Sequence, residues 1–391
     1  MSGIFNIRGI WWRHYILMLI LNAALLMPQS RNTFNEMVGR WAYVFSVSFA
    51  LSFCLTPLVR WLAHKLGILD RPDARKNHQE ATPLLGGVAV FCAFLAAIMI
   101  NGIYSRKLEA ILIAAGLLFV IGVVDDFKSI PAGVKLVGQI LCAALVISFG
   151  IILHVIPDYM GTFSQVGNVA LTLFWLIGIT NAMNFFDGMD GMAAGLGVII
   201  SFFMGVVAFQ TYQPFLGWVS VAMMGSCIGF LPYNFLKKGR ATIFLGDAGS
   251  TVVGFILASV AVYGEWAEGN PVVALASPLL IFWVLIFDMV HITVDRILTG
   301  KVGNFRQWID YVGKDHLHHR LAVVLGGQKR SVFFIYLMSI CLGTSAVVLR
   351  NARSVDAFLL LVQAIVLVVL ITILERRGRM MASNCDPFHP D

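Results

Sequence analysis

Charge is scarce in this sequence. Asp, Glu, Lys and Arg make up 13% of the 391 residues, while 59% are hydrophobic. An ordinary soluble domain carries about 25% charge, so a soluble globular fold is excluded. Organised cysteine is also lacking: among Cys54, Cys92, Cys142, Cys227, Cys341 and Cys385 no pair has metal-ligand or redox spacing. That excludes a disulfide framework and a zinc ribbon. Low-complexity segments and internal repeats are absent too. The only sizeable hydrophilic stretches are 63–83, 234–247, 296–330 and the last fifteen or so residues, and none is long enough for a separate domain.

What is present is a succession of apolar stretches of the length a helix needs to cross hydrocarbon. They fall near 14–28, 40–62, 84–104, 108–124, 134–156, 166–183, 190–210, 214–233, 248–264, 271–297, 331–349 and 355–375. The chain is therefore expected to be an all-α, polytopic transmembrane bundle of about 11–12 spans. Assigning the connections to alternate sides leaves Arg31, Arg40, Arg106, Lys107, Arg350 and Arg353 on one side and the other 22 of the 28 basic residues on the opposite one. The positive-inside rule makes the basic side cytoplasmic, with both termini. The net charge of +7 is thus spread through connecting loops, and nucleic-acid binding is not supported. Residues 1–39 form an N-terminal segment with an extra membrane helix; Arg8 and Arg13 ahead of a short apolar run also suit a signal peptide, but no small-x-small cleavage site follows. The membrane domain is expected over 40–376, with a short cytoplasmic tail at 377–391.

Four polar islands interrupt the apolar pattern, all at the cytoplasmic ends of spans. A charge near the bilayer centre costs roughly 2.5–3.5 kcal/mol even on the lenient insertion scale, so these islands belong at a surface or in a wet cavity. Asn181-Ala-Met-Asn184-Phe-Phe-Asp187-Gly-Met-Asp190-Gly191 carries two amides and two carboxylates. Asp187 and Asp190 share a face if the segment is helical; alternatively Asp190 only caps the next helix. Asp125-Asp126 places two repelling carboxylates side by side, and a divalent metal would relieve them; a solvated helix end is the plainer reading. The third island runs from Asn234 to Asp247, where Phe244-Leu-Gly-Asp247-Ala-Gly opens a span. A helix N-terminus there suits phosphate, or Asp247 serves as a cap alone. Lys237, Lys238 and Arg240 upstream draw in an anion or only set topology. The fourth is Asp315-His316-Leu-His318-His319-Arg320, whose spacing matches no standard zinc pattern; imidazoles donating to a diphosphate or sugar fit better. Arg71, Arg75, Lys76 and His78 read equally well as an ordinary loop.

Those motifs, in this order and on one face, resemble the polyprenyl-phosphate N-acetylhexosamine-1-phosphate transferases. The similarity spans residues 40–376 and rests on Arg75-Lys76 with Pro83 to Gly87, Val124-Asp-Asp-Phe with Lys135 and Gly138-Gln139, Asn184 to Gly191, Pro232-Tyr-Asn234-Phe, Phe244 to Thr251 and Asp315 to Leu321. The resemblance implies transfer of a sugar 1-phosphate from a UDP-sugar to a membrane-borne polyprenyl phosphate at the cytoplasmic face of the inner (plasma) membrane, starting cell-envelope polysaccharide synthesis. It implies Mg²⁺, with Mn²⁺ as a substitute, and a homodimer is compatible with it. It makes Asp247 the metal ligand and Asp125 with Asp126 the catalytic acidic pair. Asn184, Asp187 and Asp190 would hold the nucleotide, Asn234 would lie beside the metal, and His316, His318 and His319 would face diphosphate and sugar. Lys76 and Lys135 would also bind substrate.

His-Leu-His-His-Arg-Leu is similar to the N-acetylglucosamine branch, whereas the phospho-N-acetylmuramoyl-pentapeptide branch carries three consecutive histidines. Two departures stand out. Lys128 lies one residue closer to Asp125 than the pentapeptide branch places its lysine, and the loop from Gly303 to Lys314 is longer and lacks the usual proline lead-in. The pentapeptide activity and a lipid-diphosphate hydrolase remain alternatives. A secondary transporter would hold its ionisable groups at mid-membrane, not at span ends.

Overall fold

The computed structural model describes residues 10–70, 81–236, 240–267, 270–304, 307, 311, 313, 315–349 and 352–384, with side chains between 14 and 375. Arg71, Arg75, Lys76, His78, Lys237 and Lys238 lie outside the described residues. The chain is a polytopic all-α membrane protein. Its backbone contacts divide it into two units, Met1–Gly264 and Glu265–Asp391.

The first unit holds α1 (Ile10–Leu25), α2 (Pro28–Met37), α3 (Arg40–Leu66), α4 (Gly86–Ile100), α5 (Arg106–Phe127), α6 (Ala132–Ser148), α7 (Thr162–Phe185), α8 (Met192–Gln210), α9 (Pro214–Asn234) and α10 (Gly246–Tyr263). A short antiparallel ladder, β1 (Leu69–Asp70) on β2 (Thr82–Pro83), sets Leu69 opposite Pro83. The second unit holds α11 (Pro271–Ile281), α12 (Trp283–Leu298), α13 (Leu317–Val324), α14 (Gln328–Val348) and α15 (Ser354–Asn384). Local chemistry explains several ends. Ser105 accepts from Leu108 N (3.1 Å) to cap α5, Asn270 accepts from Val272 N and Val273 N to cap α11, and Pro28, Pro214 and Pro271 occupy first turns, where their missing N–H costs nothing.

Every apolar stretch of the sequence contains a helix, and eight helices among the described residues are long and apolar enough to span. A ninth span arises if α11 and α12 count together, although the chain bends by 78° between them. The expected single span over 271–297 is therefore broken, with Pro278 inside α11 removing a backbone donor just before the bend. The stretch 134–156 is also shorter as a helix than expected. α6 stops at Ser148, and the non-helical residues behind it are tied to α7: Leu153 N donates to Thr172 Oγ1 (2.9 Å), while Val155 N and Ile156 N donate to Asn168 Oδ1 (3.1 and 2.9 Å). Side chains of α7 thus satisfy backbone groups that a helix would have satisfied internally.

At the centre of the first unit stands α10, packed on α4, α5, α7 and α8. In its apolar window 83% of residues are buried, against 17% in the final span of α15; the first is core and the second a lipid-facing surface. Close approach here depends on glycine. A Cβ on Gly122 of α5 would fall 2.5 Å from Ala248 Cα, and one on Gly249 would fall 2.6 Å from Gly87 Cα on α4. Small residues let backbones touch where lipid supplies no hydrophobic drive between helices.

Candidate active site

Five polar side chains from four helices meet at one end of the first unit. α5 ends in Asp125-Asp126, and the turn after it folds back because Asp125 Oδ1 accepts from Ile130 N (2.6 Å). Pro131 then starts α6, which places Lys135 one turn in, facing the end of α5. Its ammonium bridges two carboxylates: it pairs with Asp125 and, at 2.8 Å, with Asp247 Oδ2 of α10. Asn184, in the last turn of α7, donates to Asp247 Oδ1 (3.0 Å) and to Ser250 Oγ (2.9 Å). The side chains of Lys135 and Asp247 are 32% and 34% exposed, so the ion pair is open to a ligand while Asp125 beneath it is nearly covered at 7%.

Asp126 has a different job from its neighbour. Its carboxylate accepts from Asp247 N (2.8 Å) and Ala248 N (3.3 Å), so one aspartate caps a helix 121 residues further along the chain. Gly246 adopts φ +77°, and a Cβ there would lie 2.6 Å from Asp126 Oδ2. Only glycine permits both the left-handed turn and this approach. Gly246 N itself is bonded by Asp187. The α10 N-terminus is accordingly not the open phosphate cradle expected from the sequence, because carboxylates already take its first N–H groups. Asp247 does not cap its own helix either.

Further residues brace this end. Asp187 and Asp190 do not share a helical face: a 3₁₀ turn at Phe186–Gly188 gives way to extended Met189. Asp190 Oδ2 accepts from Ala241 N (2.8 Å), so both aspartates fasten the loop leading into α10. Asn234, buried at the end of α9, accepts from Gly191 N (2.9 Å) and donates to Ile243 O (3.0 Å), which locks the start of α8 to that same loop.

Among the described residues no three His, Cys, Asp or Glu are arranged to hold a metal unaided. The donor set suits a cation that takes one or two carboxylates and completes its shell with substrate phosphate, as Mg²⁺ does. Asp125 and Asp247 fit that requirement, since they already share one cationic group. Asp126, spent on the α10 backbone, is outside that pair.

The second unit carries the histidine motif, held by side chains of α12 and α15. Arg296 makes a two-pronged bond to Asp315, Nε to Oδ2 and Nη2 to Oδ1, both at 2.8 Å, and lies over the Tyr311 ring at 4.3 Å. Burial raises the Asp315 carboxyl, but the bonds and charge of Arg296 outweigh it and hold the group below its usual range. Asp288 Oδ2 meets His316 Nδ1 at 2.7 Å and its Oδ1 accepts from Leu317 N at 2.7 Å. Arg320 reaches His291 through Nη1 (3.1 Å) and Glu375 through Nε (3.2 Å). The His318 ring is fully buried, stands 4.2 Å from the His319 ring, and its backbone oxygen accepts from Ser331 Oγ (2.8 Å).

His318 yields a pH prediction. Burial first, then the neighbouring His319, His316 and Arg320, push its imidazole well below the ordinary 6.5. The folded protein thus refuses a proton that the unfolded chain accepts. Stability is full above about pH 6.5 and falls as pH drops from there toward the depressed folded value. His318→Gln is expected to flatten that decline, seen as melting temperature against pH between about 7.5 and 5 in detergent. Equal slopes in variant and wild type would contradict it.

The sequence model of glycosyl transferase family 4 matches residues 108–265, the stretch that runs from α5 through α10 and contains all five clustered side chains. A probable undecaprenyl-phosphate N-acetylglucosaminyl 1-phosphate transferase of Bacillus subtilis is 33% identical over 323 residues, covering 81% of this chain and 87% of the relative. This chain belongs to that transferase family. The decaprenyl-phosphate N-acetylglucosaminephosphotransferase of Mycobacterium tuberculosis is 32% identical, with 84% and 87% covered. The undecaprenyl-phosphate alpha-N-acetylglucosaminyl 1-phosphate transferase of Escherichia coli is 29% identical, with 75% and 79% covered.

For this transferase-family chain the structure brings Asp125, Asp126, Lys135, Asn184 and Asp247 together at one end of the first unit, with Asp187, Asp190 and Asn234 bonded to the backbone behind them. His316, His318 and His319 belong to the second unit. Sequence reasoning passed over Asp288, His291, Arg296 and Glu375. A signal was available for two of them: Asp288 and Glu375 are acidic residues in or beside apolar runs, where ionisable groups are rare and purposeful.

Proposed function

We propose that this protein transfers N-acetylglucosamine 1-phosphate from its UDP-sugar to a polyprenyl phosphate, yielding polyprenyl-diphospho-N-acetylglucosamine and UMP. A phosphate-monoester oxygen of the lipid attacks the sugar-bearing phosphorus of the nucleotide sugar, and the bond from that phosphorus to the bridging oxygen breaks, UMP taking the electron pair. With a second pKa near 6 the attacking phosphate is already mostly dianionic at neutral pH, so a strong general base has little to contribute. The obstacle is bringing two anions together.

The carrying observation is the half-exposed Lys135 bridge between Asp125 and Asp247, with Asn184 orienting Asp247. Asp125 and Asp247 would hold Mg²⁺ together with substrate phosphate oxygens. When bound, Mg²⁺ supplies charge neutralisation and alignment of the attacking and leaving oxygens. Lys135 would then be available to a phosphate oxygen, and Asp126 keeps the end of α10 in place. His316 and His319 would meet substrate through their ring nitrogens, while the buried His318 ring packs against His319. The clustered end of the bundle would face the cytoplasm, a reading that the distribution of basic residues between alternate loops supports, and the membrane would be the inner (plasma) membrane.

The test is incorporation of radiolabelled sugar into the organic phase after the purified protein meets polyprenyl phosphate, Mg²⁺ and a panel of UDP-sugars. Label is expected from UDP-N-acetylglucosamine and to vanish with a chelator, returning with Mg²⁺ or Mn²⁺. Label only from the pentapeptide-bearing UDP-sugar would move the protein to the other branch, and loss of phosphate from lipid diphosphates without sugar transfer would make it a hydrolase.

A further inference from the structure

The buried face of α12 carries Asp288, Ile292 and Arg296, spaced four residues apart and so aligned along one side of the helix. Arg296 holds Asp315 and Asp288 holds His316. Asp288 is wholly buried, which for a carboxylate is tolerable only with full partnering, and both of its oxygens are engaged at 2.7 Å. One oxygen takes an N–H in the first turn of α13, a task that a neutral Asn or Ser performs equally well. The other is aimed at a ring nitrogen of the first histidine in the motif. A carboxylate is acceptor only, so Nδ1 carries the proton and Nε2, across the ring, becomes the acceptor in the neutral imidazole.

We propose that Asp288 is a positioning residue for the transfer reaction: it fixes His316 as the Nδ1–H tautomer and sets the direction in which Nε2 meets the substrate. This rests on the reading above that the histidine motif contacts substrate. The same logic governs histidines oriented by a carboxylate in metal sites and catalytic triads, where the partner of the far nitrogen decides what the near one can do. A carboxylate present only for stability would act on folding alone; one that selects a tautomer acts on turnover through His316.

Asp288→Asn separates these roles. The replacement amide keeps an oxygen for Leu317 N–H but turns its NH₂ toward Nδ1, forcing the proton onto Nε2. In the full-length protein, kcat per folded molecule is expected to fall on the order of 10–100-fold, with KM for both substrates little changed and the melting temperature near that of wild type. His316→Gln should lower kcat as well, and adding Asp288→Asn to it should cost nothing further, because a residue acting through another has no effect once that partner is gone. If Asp288→Asn does not fold, Asp288→Ser, which drops the carboxylate while leaving a hydroxyl for Leu317 N–H, enters the same cycle. Wild-type kcat in the folded single variant, or multiplicative losses in the double variant, would overturn the assignment. Full activity of His316→Gln would overturn it too and remove the histidines from the functional reading, while the carboxylate part of that reading would be judged separately by transfer in the wild type.

Discussion

Asp247→Asn is expected to lower sugar-phosphate transfer on the order of 10²–10³-fold, the scale on which losing one preorganised electrostatic contact at a reacting phosphate is felt. Asp247 is the point where four helices report to one another. Its carboxylate accepts from Lys135 and Asn184 and its backbone N–H donates to Asp126. An asparagine has one side-chain acceptor oxygen and can satisfy Lys135 or Asn184 fully, not both. It also removes half of the negative charge that Lys135 balances, and with it the oxygen pair a divalent cation would share. Since the backbone bond to Asp126 survives the change, the fold should be kept. The check is the rate of label transfer into lipid at saturating Mg²⁺, the Mg²⁺ concentration giving half-maximal rate, and the melting temperature. The expected pattern is a large rate loss, a rightward shift in Mg²⁺ and near-native melting. A rate close to wild type at ordinary Mg²⁺ would remove Asp247 from the chemistry.

Gly122→Ala is expected to damage stability and activity together. Gly122 stands one turn before Asp126 on α5 and faces Ala248, with room for a Cβ only 2.5 Å from Ala248 Cα. The obstruction is backbone, so no side chain can move aside to admit the methyl. Overpacking of this kind costs about 1–3 kcal/mol and occasionally more. Relief requires α5 and α10 to separate by about 1 Å at the level of Asp126, enough to stretch its bonds to Asp247 N and Ala248 N beyond hydrogen-bond range. A displacement of that size at a reacting centre is worth about 10²-fold in rate. Gly133→Ala, whose Cβ would meet nothing within 4 Å, is the matched control. Melting temperature and transfer rate should both fall in Gly122→Ala and hold in Gly133→Ala. An unperturbed Gly122→Ala protein would show that the two helices do not touch there.

The two substitutions differ in how far the sequence foretold them. Asp247 was legible as a carboxylate at the mouth of a span because charge beside a long apolar run must have a purpose. The Gly122 contact was not, because a glycine in an apolar stretch looks the same whether it faces lipid or another backbone. Lys135 was marked as a substrate ligand by resemblance, yet nothing in its local sequence says that it bridges Asp125 and Asp247. Asp190 could be a cap for α8 by its spacing, but it bonds Ala241 N, 51 residues on. The bend between α11 and α12, and the non-helical residues after α6, were likewise hidden, because apolar composition measures length in hydrocarbon and not continuity of the helix.

By itself the sequence determined that this is an all-helical membrane protein, in which stretches the helices fall, and where polar islands interrupt them. Those properties follow from composition and spacing within 20 or so residues, the range over which burial in lipid acts on a helix. Only the tertiary structure decided which islands are partners: Asp126 with the backbone of α10, Lys135 between Asp125 and Asp247, and Asp288 with His316. Hydrogen bonds and ion pairs act over about 3 Å, and contacts of that reach between residues 10 to 122 positions apart exist only once helix packing has brought the chain to itself.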